Sequence, residues 1–316
     1  MLAVIVTRFG GPEVLELREV PPPVPRPGEV LVRVRAAGVN PLDWKLRKGE
    51  LRLVSARRPP YVPGSDLAGE VAAVGEEVTG FRPGDRVFGW TVAFRGEAGT
   101  YAEFAAVPAT QLLATPAAVT DREAAGVCGS GLSAWVALTR LAPVRAGQRV
   151  LVIGAAGGLG TFAVQIARAR GAEVTGTCGA ANLDLVRGLG AEALDYRATD
   201  ARTLAGPFDV VFDTVNAFHF GDLRHLLARD GTYVDTMPGP RRWLAGQLSR
   251  LRGGPRARTL LLEPALDDLR GLAELLADGR VRTVVGHLFP LREAAEAHRL
   301  SEGGHVRGKI VLLTGT

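Results

Sequence analysis

The sequence predicts an α/β protein in which a doubly wound parallel sheet is joined to a second, β-rich domain. Its length of 316 residues suits two domains. The first third has the pattern of short strands, and from about Asp121 strands and helices alternate, which is typical of a parallel sheet with helices on both faces. We therefore assign residues 1–120 and 281–316 to the β-rich domain and residues 121–280 to the parallel-sheet domain.

The β-rich domain is predicted from short alternating runs that are separated by turns of glycine and proline. The proline-rich stretch 21–28 lacks the amide donors of a central strand, so we expect a surface connector there. The tail returns to this pattern, with strands at Thr283–Phe289 and Lys309–Leu313 around a helix at Leu291–Ser301. The strands predicted in the first third are Ala3–Thr7, Leu15–Glu19, Glu29–Ala37, Gly69–Val74, Arg86–Gly89 and Ala102–Pro108.

The parallel-sheet domain is predicted to hold six strands. A long insertion, Pro238–Ala257, precedes the last strand, whose apolar residues we expect at an edge of the sheet. The predicted strands are Val150–Ile153, Glu173–Thr177, Ala193–Tyr196, Asp209–Asp213, Gly231–Asp235 and Thr259–Glu263. The predicted helices are Asp121–Leu141, Thr161–Arg170, Asn182–Leu189, Phe220–Leu227 and Leu266–Ala277.

A cluster of glycines links the first of these strands to the helix that follows it. Within this cluster, Ala155-x-Gly157-x-x-Gly160 is the dinucleotide fingerprint with alanine in its first place. Small residues allow a sharp turn, close approach to a pyrophosphate and close packing of helix on strand, and the helix amides then face the phosphates. The alternative is a tight loop without a ligand. The predicted cofactor contacts here are Gly154, Ala155, Gly157, Gly158, Leu159 and Gly160.

Charge and cysteine content limit the classes of function. The net charge is +5 and the pI about 9.7, with arginines concentrated near the insertion. No nucleic-acid motif accompanies them, so we interpret the insertion as solvated and expect no nucleic-acid partner. No apolar run is long enough for a bilayer, the N-terminus lacks a signal-peptide pattern, and Cys128 and Cys178 fit a reducing cytoplasm. The clustered arginines are Arg241, Arg242, Arg250, Arg252, Arg256 and Arg258.

Motifs along the whole chain resemble those of the medium-chain dehydrogenase/reductase superfamily. They are Gly10–Leu15, Ala37–Asp43, Pro63–Gly75, Gly84–Val87, Ala155–Gly160 and Gly308–Val311. The combination is most similar to the zinc-free quinone oxidoreductase branch, the group of zeta-crystallin and the alkenal/one oxidoreductases. The resemblance implies a GroES-like catalytic domain, a Rossmann cofactor domain and a homodimer paired through the edge strand.

The resemblance also identifies the positions where zinc-dependent relatives bind their metal. Those relatives carry Cys at the position of Asn40 and Gly-His-Glu at Gly64-Ser65-Asp66. Catalytic zinc needs three ligands of Cys, His or carboxylate type, and Asn40 and Ser65 are poor substitutes. Cys128 lies near the third ligand region without a Cys or His partner, the four-cysteine structural site is missing, and no histidine precedes His219. We therefore expect no metal.

The second strand of the parallel sheet indicates the coenzyme. NAD-preferring folds carry Asp or Glu about twenty residues after the first glycine. Here Val174–Cys178 holds no acid, which favours NADPH, with NADH as the alternative. NADPH-using relatives carry Lys or Arg shortly after this strand, where this chain has Ala181. The further cofactor contacts that the resemblance implies are Ser133, Thr177, Asn182 and Tyr196. Strand-end packing is the alternative role for Tyr196, and an ordinary helix hydroxyl the alternative for Ser133.

The catalytic residues are predicted within Asn40-Pro41-Leu42-Asp43-Trp44-Lys45, which resembles the Asn-Pro-x-Asp-x-Lys segment of the alkenal/one reductases. By that resemblance Asn40 lies near the nicotinamide and Lys45 reaches the substrate carbonyl, where a cation stabilises the developing oxyanion. The alternative for Lys45 is a solvated lysine. We interpret Asp43 as structural, because a carboxylate would repel an oxyanion.

The function predicted from the sequence is a zinc-independent, NADPH-dependent reductase that transfers hydride to quinones or α,β-unsaturated carbonyls. Without zinc, oxidation of an alcohol through a zinc alkoxide is disfavoured. The ligand is expected in the cleft between the two domains. Two alternatives stay open: an NADPH- and RNA-binding redox sensor without turnover, which only the arginine-rich insertion supports, and a zinc-type alcohol dehydrogenase, which the absent ligands argue against.

Overall fold

Two units make up the part of the chain that the computed structural model describes, residues 1–236 and 253–315. Within these residues, the first unit comprises Met1–Ser130, Ala265–Ala277 and Thr283–Thr316, and the second comprises Gly131–Pro264 and Asp278–Arg282. The helix Leu266–Ala277, which the sequence placed in the parallel-sheet domain, therefore groups with the first unit.

The bounds of the regular elements are as follows. The strands are β1 (Leu2–Val6), β2 (Leu15–Glu19), β3 (Glu29–Val39), β4 (Asp66–Val74), β5 (Arg86–Trp90), β6 (Phe104–Pro108), β7 (Leu112–Ala114), β8 (Arg149–Ile153), β9 (Glu173–Cys178), β10 (Glu192–Asp195), β11 (Phe208–Asp213), β12 (Leu227–Asp235), β13 (Arg256–Thr259), β14 (Val285–Pro290) and β15 (Lys309–Leu313). The helices are α1 (Pro41–Lys48), α2 (Asp121–Ala124), α3 (Cys128–Val136), α4 (Gly158–Ala169), α5 (Leu183–Gly188), α6 (Phe220–Leu223), α7 (Leu266–Ala277) and α8 (Ala294–Gly303).

The first unit is built on a seven-stranded sheet in the order β14-β15-β3-β4-β5-β7, with β6 also paired to β3. Its central strand β3 is antiparallel to β15, β4 and β6. Val30, Val32 and Val34 are buried while Arg33 and Arg35 are exposed, because successive side chains of a strand point to opposite faces. This sheet confirms the predicted β-rich domain.

The second unit contains a six-stranded sheet in the order β10-β9-β8-β11-β12-β13. Every pair in it is parallel, which confirms the doubly wound sheet predicted from the alternation of strands and helices. Its apolar core includes Leu151, Val211 and Tyr233 from neighbouring strands.

One predicted helix is divided in the structure. Asp121–Leu141 was expected to be continuous, but α2 ends at Ala124 and α3 begins at Cys128. The amide of Gly129, in the first turn of α3, donates to Asp66 Oδ2 at 2.9 Å instead of continuing the hydrogen bonds of α2. A side chain from another part of the chain therefore starts the second helix.

The last strand of the parallel sheet was predicted at the wrong residues. The strand is Arg256–Thr259 and not Thr259–Glu263, because its partner β12 ends at Asp235, which pairs with Thr259. The leucines that suggested a strand follow it, whereas Arg256 and Arg258 are tolerated in a strand at the edge of the sheet. The structure also contains α1 and β7, which the sequence analysis did not predict.

The arginine-rich insertion is described only at its end. Arg241, Arg242, Arg250 and Arg252 lie outside the described residues, while Arg256 and Arg258 lie on β13. Among the helices of the described residues, none has the length and apolar character needed to cross a membrane.

Helix α4 packs very closely on the turn that precedes it. A Cβ atom built on Gly160 would lie only 2.1 Å from the carbonyl oxygen of Gly154. A side chain at this position would therefore push the helix away from the strand, which is the third requirement of the glycine fingerprint.

We expect Gly160→Ala to lower the free energy of unfolding by about 1–3 kcal/mol, the usual cost of inserting an atom into a close-packed region. Urea titration measures the change. Gly188→Ala is the matched control, because a Cβ built there has no atom within 4 Å apart from the adjoining backbone. Equal stability of Gly160→Ala and the wild type would contradict the proposed packing requirement.

Candidate functional site

The turn between β8 and α4 contains the glycine fingerprint. Gly154 has a φ of 80°, a conformation that strains other residues, and the amide of the buried Ala155 donates to the carbonyl oxygen of Thr177 at 2.9 Å. Gly157, the residue before α4, has no side chain that could cap the helix. The backbone amides of the first turn, which begins at Gly158, therefore have no side-chain acceptor from the N-cap residue. Uncapped first-turn amides bind anions, and this arrangement fits the pyrophosphate of a dinucleotide.

A tyrosine and an arginine lie beside the end of β9. Asp195 pairs with Cys178 across β10 and β9, and the amide of Tyr196 then donates to the carbonyl oxygen of Cys178 at 3.1 Å. The Tyr196 ring lies against Gly179 and is 43% exposed. The guanidinium carbon of Arg197 lies 5.8 Å from the centre of this ring. Sequence analysis missed Arg197, although it directly follows a predicted contact residue.

The other predicted cofactor contacts differ in exposure. Thr177 is buried at the end of β9, Asn182 is half-buried immediately before α5, and Ser133 is half-buried on α3. Leu159 is half-buried in the first turn of α4. The glycine turn and the end of β9 both lie at the carboxyl ends of the parallel strands, where such folds bind their coenzymes.

Three buried polar side chains meet at one end of the sheet of the first unit. Asn40 follows β3, Asp66 begins β4 opposite Gly38 of β3, and Lys309 begins β15 on the other side of β3. Asn40 Nδ2 donates to Asp66 Oδ2 at 2.9 Å, and Lys309 Nζ donates to Asn40 Oδ1 at 2.6 Å. Asn40, Asp66 and Lys309 are 7%, 1% and 3% exposed, respectively. We call these three residues the buried triad.

The two charges of the buried triad compensate each other. Burial raises the pKa of Asp66, which the positive charge of Lys309 opposes, and burial lowers the pKa of Lys309, which the negative charge of Asp66 opposes. Lys309 Nζ also donates to Val39 O and Ser130 Oγ, both at 3.2 Å. A buried charge is costly unless it is paired and hydrogen-bonded, and here both conditions are met.

Asp43 lies beside the buried triad in the first turn of α1. Its Oδ2 accepts hydrogen bonds from the amide of Asn40 at 2.8 Å and from the hydroxyl of Tyr101 at 3.1 Å, and His298 Nε2 lies 3.3 Å from that hydroxyl. Burial raises the pKa of Asp43 to about 7. Burial and the nearby charge of Arg47 lower the pKa of His298 to about 3, so the imidazole is neutral at physiological pH.

Lys45 takes no part in these hydrogen bonds. It lies half-buried on α1, with its Nζ 5.6 Å from the centre of the Trp44 ring. The structure therefore joins the predicted catalytic Asn40 to Lys309, while a catalytic role for Lys45 stays a prediction. Lys309 and Asp66 lie in the family motifs, but the sequence analysis assigned neither of them a catalytic role. The sequence feature that could have identified Lys309 is a single charged residue at the start of an apolar strand.

The side chains around Asn40 do not fit a catalytic zinc ion. The ammonium of Lys309, 2.6 Å from Asn40 Oδ1, would repel a divalent cation. Burial raises the pKa of the Cys128 thiol well above its usual range, whereas zinc binds the thiolate. Among residues 1–236 and 253–315, no three His, Cys, Asp or Glu side chains form a group that could hold a metal.

Comparisons with known proteins agree with this architecture. The family model described as "Alcohol dehydrogenase GroES-like domain" matches residues 26–117, and the one described as "Zinc-binding dehydrogenase" matches residues 189–312. The chloroplastic quinone-oxidoreductase QR1 of Triphysaria versicolor is 36% identical, over 96% of this chain and 95% of that protein.

Two solved structures extend the comparison. The quinone oxidoreductase of Coxiella burnetii has a TM-score of 0.87 at 30% identity, covering 99% of both chains. A mycobacterial protein solved in complex with NADPH has a TM-score of 0.83 at 30% identity, covering 99% of this chain and all of the other.

We expect Asp43→Asn to change how stability depends on pH. Between its ordinary value of 3.8 and about 7, Asp43 holds a proton in the native state that the unfolded chain has released, so the wild type loses stability as the pH rises through this window. The amide cannot release such a proton. The wild type should therefore lose a few kcal/mol more than Asp43→Asn, since each unit of pKa corresponds to about 1.4 kcal/mol.

Urea titrations at about pH 4 and pH 8 measure this difference. Asp184→Asn, whose side chain is 99% exposed in the wild type, serves as the control and should keep the pH dependence of the wild type. An identical pH dependence in Asp43→Asn would show that Asp43 titrates normally.

Proposed function

We propose a reductase function for this chain, which belongs to the quinone oxidoreductase branch of the medium-chain dehydrogenase/reductase superfamily. The chain is an oxidoreductase of the NAD(P)H-dependent, quinone-reducing type. The narrower proposal is that it reduces quinones and α,β-unsaturated carbonyls with NADPH and without zinc. The observation that carries the use of a coenzyme is the glycine turn, with its uncapped amides at the start of α4.

The residues of the two units have separate tasks in this proposal. The α4 amides bind the pyrophosphate, while Asn40 and Lys45 orient the acceptor and its oxygen. A bound nicotinamide coenzyme supplies a hydride, which a conjugated acceptor can take up without a Lewis acid. The Lys45 ammonium stabilises the negative charge that develops on the acceptor oxygen. The donor set around Asn40, which does not fit zinc, supports the zinc-independent form of the reaction.

The end of β9 supports a preference for NADPH. A carboxylate at this point would repel a 2′-phosphate, and Thr177–Ala181 contains none. Arg197, stacked on Tyr196 beside Gly179, supplies the positive charge that Ala181 lacks. We therefore propose that the Tyr196–Arg197 pair binds the 2′-phosphate. The homodimer, the cytoplasmic location and the contacts of Ser133, Thr177 and Asn182 stay predictions.

A spectrophotometric panel tests the reductase function. We expect the wild type to oxidise NADPH in the presence of several quinones, enals and enones, with a rate that a zinc chelator does not change.

We expect Lys45→Ala to lower kcat about tenfold or more, because the acceptor oxygen loses its cation. Lys48→Ala is the matched control, since Lys48 lies on α1 like Lys45 but pairs with Glu302 of α8. Absence of turnover with every acceptor would refute the proposed function.

Coenzyme specificity is tested separately with Arg197→Ala. We expect the KM for NADPH to rise about tenfold or more, because a charge-assisted phosphate contact is lost, while the KM for NADH stays unchanged. Arg202→Ala, which removes an exposed arginine paired with Asp200, should alter neither. An equal effect of Arg197→Ala on both coenzymes would show that Arg197 does not recognise the 2′-phosphate.

A further inference from the structure

We infer that Lys309 is a positioning residue for the proposed reduction site, because its buried ammonium and the carboxylate of Asp66 together fix the side-chain amide of Asn40. The inference rests on the proposed function for the role of Asn40 in reduction. The geometry of the buried triad is independent of that role, so it can be tested by itself.

The ammonium of Lys309 has a hydrogen-bond acceptor for each of its three N–H groups. Its Nζ lies within hydrogen-bond distance of Val39 O, Asn40 Oδ1 and Ser130 Oγ, which are three acceptors for three N–H groups. The acceptors come from the end of β3, from the residue before α1 and from α3. Lys309 therefore joins three segments around the proposed catalytic asparagine.

The amide of Asn40 is held from both ends. Its oxygen faces the ammonium of Lys309 and its nitrogen faces the carboxylate of Asp66, so the amide cannot turn over without placing like groups together. Gly129 closes the other side, since a Cβ built on it would lie 2.6 Å from Asn40 Oδ1. Asn40 Nδ2 carries a second N–H group, which in the proposed function donates to an oxygen of the acceptor, and a cation on the amide oxygen strengthens that donor.

The choice of lysine at this position is unusual for this chain. The sequence contains only three lysines, Lys45, Lys48 and Lys309, against 35 arginines. A guanidinium is planar and carries five N–H donors, two more than the acceptors that surround Lys309 Nζ. Arginine here would leave buried donors without partners, which is costly. The site therefore requires a compact tetrahedral cation.

This arrangement places a cationic side chain, compensated by the carboxylate of Asp66, next to the amide oxygen of Asn40. In zinc-dependent relatives, as the family resemblance implies, a metal ion is bound at the position of Asn40. Here the charge is on the Lys309 side chain, at the start of β15. It acts on the acceptor only through its hydrogen bond to Asn40. We therefore assign Lys309 the role of orienting and polarising Asn40, without direct contact with the substrate.

The first test measures the amide of Asn40 without any assay of activity. In ¹⁵N-labelled protein, we expect hydrogen exchange of the Asn40 side-chain amide to become at least about tenfold faster in Lys309→Met. Lys309→Met/Asp66→Asn guards against unfolding, because it removes both buried charges while an amide oxygen at position 66 can still accept from Asn40. Lys48→Met should match the wild type. Unchanged exchange in the folded double variant would overturn the inference.

The second test is a kinetic double-mutant cycle with Asn40→Ala. If Lys309 acts through Asn40, Lys309→Met should lower kcat about tenfold or more, since small displacements of an orienting group have effects of this size. Adding Lys309→Met to Asn40→Ala should then cause no further loss. Additive losses would show that Lys309 acts independently of Asn40 and would overturn the inference. A wild type without turnover would refute the proposed function alone, and amide exchange would still decide the role of Lys309.

Discussion

The carboxylate of Asp66 is the group on which the arrangement around Asn40 depends. It lies almost fully inside the first unit and accepts hydrogen bonds from Asn40 Nδ2 and from the amide of Gly129, and the charge of Lys309 compensates its own. A buried charge without such partners would be strongly destabilising. The hydrogen bonds and the charge pairing of this one carboxylate therefore hold together four segments of the chain. These are the start of β4, the residue after β3, the first turn of α3 and the start of β15.

The parallel sheet of the second unit was accessible from the sequence because its strands are short apolar runs that alternate with amphipathic helices. Strand β8 was predicted nearly to the residue for this reason. Strand β13 was misplaced, because an edge strand needs pairing on one side only and can carry Arg256 and Arg258. Helix α1 was missed although its signals are present: Pro41 stands at its first position and Gly49, with a φ of 78°, ends it.

The candidate site was only partly accessible from the sequence. Asn40 could be identified by resemblance, and the glycine turn by its spacing. The partner of Asn40 could not be identified, because Lys309 is 269 residues away and only the register of β15 on β3 brings the two together. Arg197 was missed for a different reason: a cation was expected in the loop after β9, whereas Arg197 lies just after the end of the neighbouring strand β10.

The scarcity of nucleophiles in this chain has a chemical consequence. Quinones and α,β-unsaturated carbonyls alkylate thiolates and free amines by conjugate addition, and a protein that processes them is exposed to this damage. Both cysteines are buried, and burial raises the pKa of each thiol, so little thiolate is available for attack. One of the three lysines is buried, and the other basic side chains are nearly all arginines, which are always protonated. The same composition that makes the chain basic therefore makes it a poor target for its own proposed substrates.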